Sequence, residues 1–267
     1  PDVTLVQAVY ADEDSANTDP FKQNPPLIGY VINRAHHAEI GGKRPGSMPP
    51  DAVTLAEEGA VIPPVYLVKN GEVQWQAVRD LLTAPPHPTR TLAENLADIN
   101  AALASLRTGA EKLRALVAEH GLEKVHRYMA KLKETAACAL ADALMPYTGR
   151  RFSAREKMDD GSLLAVSAAI GAGGKVKIDF AGTGKVHPFN LNANISIVFS
   201  AVMYVLRLLC GRDIPLNEGL MRHVEIVLPP GTFLHPGFED DPARCPAVVG
   251  GNTEVSQRLT DTLLKAF

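Results

Sequence analysis

The sequence predicts a mixed α/β fold of the α+β kind, in which β-rich segments flank a long antiparallel helical pair. Three observations carry that expectation: two strand-like runs near the start, apolar stripes of helical period over about 91–146, and a return to period-two patterning beyond them. With 267 residues, 46% of them apolar, the chain can bury a substantial core, which excludes disorder as its overall description.

Val3–Tyr10 (VTLVQAVY) and Leu27–Asn33 (LIGYVIN) are dense in β-branched and aromatic residues and read as neighbouring strands. The acidic connection between them, ADEDSANTDPFKQNPP, can stay in water as a loop. Asn70-Gly71 is a turn signal, and Val73–Val78 after it reads as a third short strand. From Thr91 onward Leu92, Leu96, Ile99, Leu103, Leu106, Ala110 and Leu113 recur three or four apart, the mark of a helix with one buried stripe. Gly109 within it marks either a close contact or a break. Gly121 ends the run, and Leu122, Val125, Met129, Leu132, Ala136, Leu140 and Leu144 carry a second helix to Pro146. The short His120-Gly121 link is what predicts an antiparallel pair.

Past the connection TGRRFSAREKMDDG, Ser162–Ile170 and Lys175–Phe180 alternate as strands around the glycine turn at 171–174. A Gly- and Asn-rich loop then leads into an apolar helix, Ile195–Cys210. Val224–Leu228 is a further strand, closed by Pro229-Pro230-Gly231. A last helix starts after Gly250-Gly251, with Asn252 or Thr253 as its N-cap.

Several function classes drop out. The 27 basic and 30 acidic residues are interspersed and leave a formal charge of -3, so no basic stripe for nucleic acid is visible. Cys138, Cys210 and Cys245 are far apart, which argues against a disulfide scaffold or a zinc knuckle. The most apolar segment, Ile195–Cys210, has 16 residues and contains Ser196, Ser200 and Arg207, too short and interrupted for a membrane span. No signal peptide opens the chain, so the cytoplasm is the default location. Pro1-Asp2 leading straight into a strand, and a final helix barely begun, read as an excerpt of something longer.

The segment with most chemical promise is Asn33–Pro50, NRAHHAEIGGKRPGSMPP. Imidazole and carboxylate are suitable ligands for a divalent transition metal, and His36, His37 and Glu39 stand together there. On an extended backbone His36 and His37 point to opposite faces, so one ligand and one supporting or substrate-contacting histidine is the simpler arrangement. Glu39 either orients His37 or acts as a base. Asp2 is the obvious additional carboxylate if its strand lies beside the one leading to His36. Asp179, opening DFAGTG, can end a strand facing a substrate or metal, with Thr183 supporting the loop; neither a Gly-x-x-x-x-Gly-Lys-Ser/Thr nor a Gly-x-Gly-x-x-Gly pattern is present. Asn190, Asn192 and Asn194 are candidates for polar binding or helix capping.

Taken together, PDVTLV at 1–6, NRAHHAEIGGKRPGSMPP at 33–50, MDDG at 158–161, IDFAGTG at 178–184, NLNANIS at 190–196, IPLNEG at 214–219, LPPGTFLHP at 228–236 and VVGGNTEVSQRLTD at 248–261 resemble the B subunit or B domain of the hydantoinase/5-oxoprolinase family. The resemblance covers nearly the whole chain, in the family's order. It implies that residues 1–267 are an incomplete catalytic region of a larger enzyme, a hetero-oligomer in which an A-type component uses ATP to activate an amide or ketone oxygen. The usual outcome is the opening of a hydantoin, 5-oxoproline or related lactam ring; related acetone carboxylases add carbon to a ketone, and a non-catalytic scaffold is the alternative outside enzymology.

By the same resemblance Asp2 and either His36 or His37 would ligate a divalent metal, Zn, Mn or Fe, that positions or activates water, while Glu39 or Asp179 manages a proton. The histidine that the family carries two positions before Pro1 is not in this sequence, and Glu39 stands where the family commonly has Asp. ATP is expected to bind the partner component, not this chain.

Overall fold

The computed structural model describes residues 1–11 and 25–267; the acidic connection expected between the first two strands lies almost entirely outside these residues. The fold is mixed α/β, with open β-sheets flanking helical segments. Strand β1 (Asp2–Tyr10) pairs antiparallel with β2 (Leu27–His36), setting Asp2 opposite His36 and Leu5 opposite Asn33. Val3, Leu5 and Val9 point to the core and Val6 to water, as the period of two requires.

That inner face is covered by helix α3 (Leu92–His120), which buries Ile99, Ala102, Leu103, Leu106, Ala110 and Val117. Gly109 belongs to this contact and breaks nothing: a β-carbon there would come within 3.3 Å of Val31 Cγ1, so the missing side chain lets helix and strand approach. Gly121 links α3 to α4 (Leu122–Leu144). The two helices share a small cluster at this end, around Val117 and Val125, and α4 then gives Ala136, Leu140 and Leu144 to a second core.

The second core is built on a four-stranded sheet in the order β5 (Arg151–Lys157), β6 (Leu163–Ile170), β7 (Val176–Asp179), β8 (Val224–Val227). The first three pair antiparallel and the last pair is parallel, which requires a long crossover; α5 (Ile195–Cys210) lies within it. Helix α5 and the last helix, α6 (Glu254–Ala266), pack with α4 on this sheet through Val198, Val202, Leu206, Val255, Leu259 and Leu263. Among the described residues no helix is long and apolar enough to cross a membrane.

Two sequence expectations need correction. Only Glu72–Val73 is extended after the Asn70-Gly71 turn, as β4 against β3 (Val68–Lys69); Trp75–Thr83 is a helix, α2. Val78 and Leu82 are its buried residues, and their spacing of four is a helical period that a six-residue window cannot reveal. β5 falls in a stretch read as a connection, because Arg151, Ser153, Arg155 and Lys157 face water along a sheet edge and mask the alternation.

Candidate functional site

The strand register does most to build the site. Because Asp2 and His36 are paired residues on neighbouring strands, their side chains emerge on the same face, with Asp2 Oδ1 3.0 Å from His36 Nδ1. Arg34, the next outward residue on β2, donates from Nε to Thr4 Oγ1 at 2.8 Å. Asp2, Arg34 and His36 stand on the wall of a cavity of about 890 Å³. Its other walls are the segment from Ile40 to Val61, the start of α5, and α6 with the turn before it.

His37 lies on the opposite side of the backbone, as the period of two requires, and is only 1% exposed. Its Nδ1 is 2.7 Å from Asn95 Oδ1. The Asn95 amide nitrogen donates to the Glu39 carbonyl and to Thr89 Oγ1, which fixes the amide's orientation. Nδ1 of His37 is therefore the donor, and the ring is fastened to α3 rather than turned toward Asp2.

Glu39 is a structural hub. Oε1 accepts from Thr89 Oγ1, from the backbone N–H groups of Arg90 and Thr91 at 3.0 Å each, and from Thr91 Oγ1 at 2.9 Å; Oε2 accepts from Gly41 N–H at 2.7 Å. Burial pushes this carboxyl up, but the hydrogen bonds from Thr89, Gly41 and Thr91 outweigh it and hold its pKa at about 2. The carboxylate sits at the start of the 29-residue helix α3, where the helix dipole favours an anion. A base engaged by five donors and ionised this far down is a poor proton acceptor at neutral pH.

Gly41 and Gly42 hold the next turn at φ of +95° and +94°. A β-carbon at Gly42 would lie 2.7 Å from the Glu58 carbonyl oxygen, and one at Gly41 would lie 2.1 Å from that of His87. The turn brings the short helix α1 (Leu55–Glu58) against the chain near Val248. There Leu55 N–H donates to the Cys245 carbonyl at 2.9 Å and Ala247 N–H to that of Val53 at 3.1 Å.

Glu58, which sequence reasoning passed over, lines the cavity from this seam and is 7% exposed. Its two carboxylate oxygens accept from Val248 N–H at 3.0 Å and Val249 N–H at 2.9 Å. Burial raises its pKa to about 7 against the opposing pull of these bonds. A signal for it exists in LAEEGAVI: a carboxylate pair between apolar runs leaves room in water for one of the two. Glu57 takes that place, with Lys43 Nζ 3.0 Å away.

Other candidates fall elsewhere. Asp179 does not line this cavity; its Oδ1 accepts from Ala181 N–H at 2.8 Å and shapes the turn, while Thr183 Oγ1 bonds both the N–H and the carbonyl of Ala165. Asn192 is fully buried and spends its amide on His187, Phe189 and Ala247 backbone groups. Asn194 caps α5 by accepting from Ile197 N–H and also lines the cavity. Thr253 occupies the N-cap position of α6 without a side-chain cap bond. Cys210 and Cys245 are buried, as expected of structural cysteines.

The donors at Asp2 and His36 suit a divalent ion chemically, but they are two, and catalytic ions of this kind take about three protein ligands. No group of three or more His, Cys, Asp or Glu residues able to hold a metal occurs among the described residues.

Fold and cavity thus define an open-sheet α/β protein with a largely apolar cleft that carries carboxylates and is walled by the β1–β2 pair on one side and by α5 and α6 on another. The family pattern of hydantoinase B/oxoprolinase matches residues 1–267, and the chain belongs to that family. It is 35% identical over 275 residues to a 5-oxoprolinase of Dictyostelium discoideum, covering 100% of this chain and 20% of the relative. Among solved structures, the ATP-dependent caprolactamase of Pseudomonas jessenii superposes with a TM-score of 0.77 at 23% identity, over 99% of this chain and 44% of that one. A nucleotide-free acetone carboxylase follows with a TM-score of 0.70 at 18% identity, over 92% and 32% of the two chains. The chain therefore spans about a fifth of the length of the 5-oxoprolinase it matches.

Proposed function

We propose that this chain is part of the B-type component of a cytoplasmic, ATP-dependent cyclic amide hydrolase that opens a 5-oxoproline, hydantoin or related lactam ring. Residues 1–267 form an incomplete catalytic region, and an A-type partner binds ATP and phosphorylates the amide oxygen, so the working enzyme is a hetero-oligomer. Whole-chain membership in the hydantoinase B/oxoprolinase family is the observation that carries this reading. The cavity supports it: about 890 Å³ accommodates a small cyclic amide, and its wall presents titratable and hydrogen-bonding side chains.

Asp2 and His36 would hold a divalent ion, completed by a donor from outside the described residues. Such an ion, when bound, would supply a Lewis acid for a carbonyl oxygen or a more acidic water. Arg34 stands on the same wall, where its positive charge favours anionic groups of an activated substrate. His37, Asn95 and Glu39 keep the end of β2 fixed to α3, so that His36 stays beside Asp2.

The test is product formation by the assembled enzyme. With ATP present, a lactam or hydantoin should yield the ring-opened amino acid; bicarbonate-dependent carboxylation of a ketone, without ring opening, would replace this reading by a carboxylase. Binding of Zn²⁺ or Mn²⁺, followed by calorimetry on the intact enzyme, should weaken at least about tenfold in His36→Ala, and equal affinity would remove Asp2 and His36 as ligands.

A further inference from the structure

Glu58 has no part in the family assignment, yet it is the buried carboxylate that faces the cavity. The neighbouring walls carry Asp2, Arg34 and His36 from the β1–β2 hairpin and Asp261 from α6, with Glu57 beside it on α1. Both Glu58 oxygens are pinned by backbone N–H groups, Val248 to one and Val249 to the other, so the carboxyl plane is fixed. Each oxygen keeps a second lone pair, because a carboxylate offers about four acceptor sites and two are used. Among the described residues no cation pairs with it: the nearby Lys43 is bonded to Glu57 and to the Asp51 carbonyl. A side chain that is fixed, shielded from water, unpaired in charge and turned to a substrate-sized space is arranged for exchanging a proton.

We propose that Glu58 is the proton-transfer group of this cavity, taking a proton from the attacking water and passing it to the ring nitrogen. The inference rests on the ring-opening reading above. As the water oxygen bonds to the carbon of the O-phosphorylated lactam, one water proton goes to Glu58 and from it to the ring nitrogen. When the carbon–nitrogen bond breaks, its electron pair goes to nitrogen, and the remaining hydroxyl proton follows by the same carboxyl. An acyl phosphate and a free amine result, and a second water releases inorganic phosphate. Glu58 ends each passage as the carboxylate it began as. Its pKa of about 7 matches the operating pH that a group both accepting and donating a proton needs.

The experiment uses the complete enzyme with its ATP-using partner, a responsive lactam, and separate measurement of ADP and of amino acid product. In Glu58→Gln, product formation should fall about 10²–10³-fold. Lactam-dependent ADP formation should persist, and the ionisation near pH 7 should vanish from the kcat/KM profile. A folded Glu58→Gln enzyme that keeps its ratio of product to ADP and its pH profile overturns the proposal. If Glu58→Gln does not fold, Glu58→Asp decides: a shorter acid should slow ring opening at least about tenfold and move the ionisation, and an unchanged profile overturns the proposal. Wild-type enzyme that opens no lactam at all removes the ring-opening reading itself, a result distinct from either variant's.

Discussion

Glu39 and Glu58 lie on the same stretch of chain and are shielded from water to nearly the same degree, 6% and 7% exposed. One is held at about 2 and the other is raised to about 7. Burial opposes ionisation at both but weighs far more on Glu58, which lies deeper in the protein, and the two carboxylates also differ in what they receive. Glu39 collects hydroxyl and amide donors at the start of α3, and Glu58 has two amides and the nearby charge of Glu57. The first therefore fastens the chain after β2 to the start of α3, and the second remains able to change its charge beside the cavity.

The contrast can be broken in several ways. The largest effect on stability is expected from Glu39→Ala, which strands five donors: a loss of about 3 kcal/mol, read from chemical denaturation, with Glu39→Gln losing less. Gly42→Ala follows at about 2 kcal/mol, since it forces a β-carbon toward the Glu58 carbonyl at a positive φ; thermal unfolding measures it. An equal stability for either variant would remove the hub from the account.

The two carboxylates also pull stability in opposite directions with pH. Glu39 is depressed below 4.5, so its contribution is present above that value and is lost as pH falls through about 2. Glu58 is raised above 4.5, so its contribution is full below that value and is lost as pH rises through about 7. Unfolding free energies measured between about pH 5 and 8 should therefore decline less steeply in Glu58→Gln than in the parent. The smallest effect belongs to Asp2→Asn: its bond to the exposed His36 is a surface contact, and stability should change by no more than about 0.5 kcal/mol.

The β1–β2 pair was legible because period-two patterning and its two apolar runs are local signals, and the same pattern set His36 and His37 on opposite faces. The Asp2–His36 pairing followed from two adjacent strands. The surroundings of Glu39 were not legible for a reason of distance: its donors Thr89, Arg90 and Thr91 lie about fifty residues away, and no local pattern announces that they close around it. Glu58 was missed for the same reason, its partners being 190 and 191 residues distant. Asp179 invited a functional reading because an aspartate in a glycine turn serves equally well to accept the backbone N–H of Ala181.

The most direct test is a carbon-13 NMR titration of the glutamate carboxyl carbons, assigned by Glu39→Gln and Glu58→Gln. The account predicts that Glu58 titrates near 7 while Glu39 stays ionised down to about pH 3. A Glu58 signal titrating at the ordinary value of 4.5, together with the exposed glutamates, would contradict it.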